Sequence, residues 1–86
     1  MPVAADAERE RLRANAIDII RDGVAERVHM QLRGERVNDQ NTKDLIDRLH
    51  KRAMSRMALF DGDEERQLAF VREFDRDAAK RRKRQA

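Results

Sequence analysis

The sequence contains no cysteine, tryptophan or tyrosine, a single proline at position 2, three glycines and three phenylalanines. Each scarcity removes a class of protein. Without cysteine there are no disulfide staples, thiolate metal sites or cysteine nucleophiles, so an intracellular, cytoplasmic setting is expected over a secreted scaffold. No run approaches the roughly 20 apolar residues of a membrane span. The first residues mix Asp6, Glu8 and Glu10 with arginines and lack an apolar segment, so neither a signal peptide nor a transit peptide is legible there. Hydroxyl groups are almost as rare, since Ser55 is the only serine and Thr42 the only threonine. Nucleophilic and acid-base catalysis need a reactive group and a second group to activate it, and this inventory predicts no enzyme. The scattered glycines form no phosphate loop. No cofactor and no metal are expected. Asp47 with His50 is a two-ligand fragment at best, and it reads as a solvated pair, as does His29 beside Glu26.

Charge, by contrast, is abundant: 20 Lys and Arg against 17 Asp and Glu among 86 residues, for a formal charge of +3. It is unevenly placed. Lys80, Arg81, Arg82, Lys83 and Arg84 supply five positive charges, and the remainder of the chain holds 15 basic against 17 acidic side chains. A body of charge −2 therefore precedes a basic tail. The organisation expected is a single helical domain over 1–79 and a basic C-terminal tail over 80–86.

Turn residues at Gly34 and at Asp61-Gly62-Asp63 divide the body into three periodic segments. Leu12, Ala16, Ile20, Val24, Val28 and Leu32 recur at every fourth residue, an inclined apolar ridge on a helix over about 6–33. Asp6 fits its N-cap and Gly34 its C-terminal cap, with a kink expected at Gly23. A second helix over about 42–60, capped by Asn41 or Thr42, brings Leu45, Ile46, Leu49, Ala53, Met57 and Phe60 to one face. A third over about 63–80 gathers Gln67, Phe70, Val71, Phe74 and Ala78. The predicted fold class is all-α, two to three amphipathic helices forming a small bundle or helical hairpin, as a dimer. So short a chain buries only about 60% of its unfolded surface, which is why a second copy is expected to cover more. The minor alternative makes Val28 to Arg33 a strand, since Val28, Met30 and Leu32 alternate with polar residues; that order resembles a ribbon-helix-helix dimer. A helix-turn-helix is disfavoured because Glu64 and Glu65 would then face phosphates.

Two basic features stand out as binding residues. Arg48, Arg52 and Arg56 recur every fourth residue with Lys51 beside them, a line of cations suited to a phosphate backbone or an acidic groove. The competing reading is an intrahelical ladder from Asp44 to Arg48 and from Asp47 to Lys51. The second feature is the tail, Lys80 to Arg84, in which no aromatic residue interleaves; that favours backbone contact over base stacking. The function expected is a non-enzymatic accessory protein that binds nucleic acid, DNA before RNA, with little sequence preference. The alternative is an interaction module, an inhibitor, adaptor or assembly factor, that meets an acidic protein surface or docks through its apolar ridge. Met54 and Leu59 lie off the main face of the second helix and, with the ridge from Leu12 to Leu32, make up the expected partner or dimer surface. Arg27 falls inside the apolar sector and is expected to pair with an acid or snorkel out.

Overall fold

The computed structural model of the chain describes residues 3–33 and 39–85, and the side chains of 6–33 and 39–83. Four helices follow one another, α1 (Val3–Ala14), α2 (Ala16–Leu32), α3 (Gln40–Ala58) and α4 (Glu64–Gln85), with no strand among the described residues. The all-helical expectation therefore stands, and the strand considered for 28–33 is a continuation of α2 through Leu32. The backbone turns left-handed at Arg33, with φ 52°. Gly34, expected to be the cap, lies outside the described residues.

The single helix expected over about 6–33 is divided in two at Asn15, a position without a turn signal. Asn15, at φ −114° and ψ 18°, separates α1 from α2, and its Nδ2 donates to the Arg11 carbonyl at 3.2 Å. A short amide side chain that bonds its own helix backbone competes with the regular ladder. At Gly23, the position of the expected kink, α2 continues as helix. Gly23 lies inside α2 because α4 presses against it: a Cβ would sit 2.6 Å from the Phe74 carbonyl oxygen and 2.8 Å from its Cα. An interior glycine costs about 1 kcal/mol of helix propensity, offset here by the backbone approach it permits.

Helix α2 is the centre of the fold, packed along α4 on one flank and against α3 on another. Leu12, Ile19, Ile20, Val24 and Val28 meet Ala53 of α3 and Leu68, Val71 and Phe74 of α4 in one buried cluster. The Cα extents of 44 × 31 × 16 Å are those of a flattened body, in which each outer helix keeps a broad face in water.

Helix boundaries follow from identifiable caps. Asp39, rather than Asn41 or Thr42, opens α3: its backbone is extended and its Oδ1 accepts from the Thr42 N–H at 2.8 Å. At the next corner Gly62 takes φ 85°, and the Asp63 carboxylate accepts from the Arg66 N–H at 3.2 Å ahead of α4. Asp6 lies within the first turn of α1 instead of capping it, since the helix already begins at Val3.

Candidate nucleic-acid interface

The fate of each arginine depends on which helix carries it. On α1, Arg11 forms a two-pronged bond to Asp75 of α4, at 3.1 and 2.9 Å. Arg9 reaches Glu65 at 3.0 Å, Arg13 pairs with Glu64, and Glu8 accepts from Arg72 at 3.3 Å. The bond from Arg11 is the main cause holding the Asp75 carboxyl below the ordinary carboxylate range; partial burial opposes it, and the charges of Arg11 and Arg82 add to it. The same bond raises the pKa of Arg11. Further along, Arg27 of α2 donates its Nε–H to Asp77 at 2.7 Å and sits over the Phe74 ring, 4.2 Å from the centroid. The acid expected for Arg27 is thus supplied by α4 of the same chain.

On α3 the competing ladder, Asp44 to Arg48 and Asp47 to Lys51, does not form among the described residues. Asp44 accepts from Gln40 at 3.0 Å and Asp47 pairs with Arg21 of α2 at 2.5 Å, so both acids are turned away from the basic flank. Arg48, Lys51, Arg52 and Arg56 are all exposed and form no ion pair among the described residues. His50 donates Nε2–H to the Ile17 carbonyl at 3.2 Å, so the Asp47 and His50 fragment is separated into two contacts with α2. Glu26, read as half of a solvated pair with His29, is buried at 1% exposure.

The basic C-terminal run is more structured than its sequence implies, because α4 continues through it to Gln85. Lys80 lies 3.9 Å from Asp77, Arg82 lies 3.8 Å from Asp75, and Arg81 is half-buried. Arg81 and Arg82 face Arg21 and Ile46 across a cleft of about 370 Å³. Lys83 is exposed, and the Arg84 side chain lies outside the described residues.

A groove that no sequence pattern revealed lies where α2, α3 and α4 meet, with a volume of about 280 Å³. Val24, Leu49, Ala53, Phe70 and Phe74 provide its apolar walls, while Arg27, Gln31, Arg52 and Arg56 provide its polar ones. Phe70 packs edge-on between Phe60 and Phe74, with centroids 6.0 and 5.1 Å away. Two members of the α3 cation line thus border aromatic surface from a helix that begins after the next turn.

The expected partner ridge is spent within the chain. Leu12, Ile20, Val24 and Val28 are buried, and Ala16, Leu32 and Met54 are half-buried against the same core. Leu59 alone of that set projects into solvent, at 81% exposure; Ile17 and Met30 are further exposed apolar residues. Among the described residues, no three acidic or histidine side chains converge as a metal site, and no helix is long and apolar enough to cross a membrane. No protein-family model, curated protein or solved structure matches the chain.

Proposed function

We propose that this protein is a non-enzymatic, nucleic-acid-binding accessory protein of the cytoplasm, and that its principal contact is the exposed flank of α3. The observation that carries this reading is the row Arg48, Lys51, Arg52 and Arg56, which has no acidic partner among the described residues in a fold that pairs Arg9, Arg11, Arg13, Arg21 and Arg27. Guanidinium and ammonium groups that are not satisfied internally are available to neutralise phosphates, with the counterion release that makes such binding salt-dependent. Arg81 and Lys83 extend the positive surface at the end of α4. Lys80 and Arg82 contribute less, because acids on α4 already hold them. The interaction-module alternative has less to support it, since α4 covers most of the ridge it would use, and the expected dimer loses the same surface.

Substituting Arg48, Lys51, Arg52 and Arg56 together by Gln is the direct test. Removing four phosphate contacts is expected to lower the slope of log affinity against log salt by about 3 to 4. Absence of salt-sensitive binding by the unaltered protein at low ionic strength refutes the proposal. Removing residues 80–86 is a poorer test, because it also deletes the last turns of α4 and the half-buried Arg81.

A further inference from the structure

We propose that the groove between α2, α3 and α4 takes one unstacked base of a single strand against the guanidinium plane of Arg27, with Arg52 and Arg56 on the adjoining phosphates. This inference rests on the nucleic-acid reading above and adds to it a strand preference and a stacking site.

Three features of the groove support it. Arg27 is tethered through its Nε–H to Asp77 at 2.7 Å with its Cζ over the Phe74 ring, 4.2 Å from the centroid, yet its side chain keeps 51% of its surface exposed. A guanidinium fixed in this way is a flat platform of the kind on which splayed bases stack in single-strand recognition. Its orientation is set before binding, so little side-chain entropy remains to be lost. Secondly, Arg52 and Arg56 line the same groove and form no ion pair among the described residues, which leaves two cations beside the platform for phosphate. Thirdly, Gln31 lies one turn beyond Arg27 on α2 and lines the groove, adding an amide that both donates and accepts to a base edge. A duplex keeps its bases stacked and offers this groove only its backbone. An acidic peptide would satisfy Arg52 and Arg56, but it makes no use of the Arg27 platform.

The test compares three fluorescein-labelled probes of about twelve units: oligo(dT), an abasic strand with the same number of phosphates, and a duplex. Anisotropy titrations at one low salt concentration are expected to give oligo(dT) binding between about five- and a hundredfold tighter than the abasic strand. Arg27→Lys keeps the charge and removes the plane, and is expected to abolish that preference. Gln31→Ala, at an exposed position, is expected to weaken oligo(dT) binding by a smaller factor. Equal affinity for oligo(dT) and the abasic strand overturns the inference and leaves the backbone reading of α3 standing. Absence of salt-sensitive binding to all three probes overturns both. Because the abasic comparison alters only the ligand, it decides the matter even if Arg27→Lys fails to fold.

Discussion

Helices α1 and α3 each carry three arginines, Arg9, Arg11 and Arg13 on one and Arg48, Arg52 and Arg56 on the other, and the fold treats them in opposite ways. The α1 set lies against Glu64, Glu65 and Asp75 of α4, whereas the α3 set faces solvent without an internal acid among the described residues. The difference lies in the neighbour rather than in the arginines. Helix α4 begins with Glu64 and Glu65, and the α2 contact at Gly23 and Phe74 lays it alongside α1. A cluster of positive charge is therefore informative about binding only after the cations used within the fold have been subtracted.

The most damaging way to break this contrast is to push α4 away from α2. Gly23→Val would drive a branched side chain into the backbone of Phe74, and urea unfolding is expected to register a loss of about 3 kcal/mol. Gly23→Ala separates clash from propensity: helix propensity alone predicts a gain of about 1 kcal/mol, and the close approach predicts a net loss. A gain would show that the two helices are further apart than the structure has them.

A milder disruption is Asp75→Asn, which removes the two-pronged partner of Arg11. The expected loss at neutral pH is about 1 to 2 kcal/mol, above a typical surface pair because the geometry is bidentate and the carboxylate is largely covered. Its pH signature has a definite sign. The folded-state pKa of Asp75 lies below its unfolded value, so its contribution is complete above the ordinary carboxylate range and is lost as pH falls through the depressed value. Stability measured down an acid titration is expected to fall less steeply in Asp75→Asn than in the parent. Asp39→Ala, which removes the α3 cap, is expected to cost about 1 kcal/mol without affecting the α1 pairs.

The smallest effect on stability is expected where the effect on binding is greatest. Replacing Arg48, Lys51, Arg52 and Arg56 by Gln should leave the stability to urea within about 0.5 kcal/mol, because these exposed side chains form no ion pair or hydrogen bond among the described residues. A large destabilisation would mean that these cations serve the fold after all, and α3 would then resemble α1.

Much of the architecture was legible along the chain, and the places where reading failed share a cause. The every-fourth ridge from Leu12 to Val28 did mark a buried face, and Asp61-Gly62-Asp63 did mark the corner between α3 and α4. Periodicity identifies a face to be covered and is silent about what covers it, so the ridge read as a partner surface when its partner was α4. Asn15 escaped notice because one asparagine in a polar stretch carries little signal, whereas Gly23 drew attention as a breaker and proved to be a contact point. The Arg48, Lys51, Arg52 and Arg56 line was visible as spacing. Its freedom from the Asp44 and Asp47 ladder was not, since those acids turn to Gln40 and to Arg21.

By itself the sequence determined that the chain is helical, where the corner between α3 and α4 lies, and that its cations outnumber its acids, because local periodicity, turn chemistry and charge are properties of neighbours along the chain. Only the tertiary structure decided which cations are neutralised, that Phe70 and Phe74 stand beside Arg52 and Arg56, and that Arg27 is tethered to Asp77 over the Phe74 ring. Those outcomes depend on side chains as many as 64 residues apart in sequence, and their meeting is set by how α4 packs on α2.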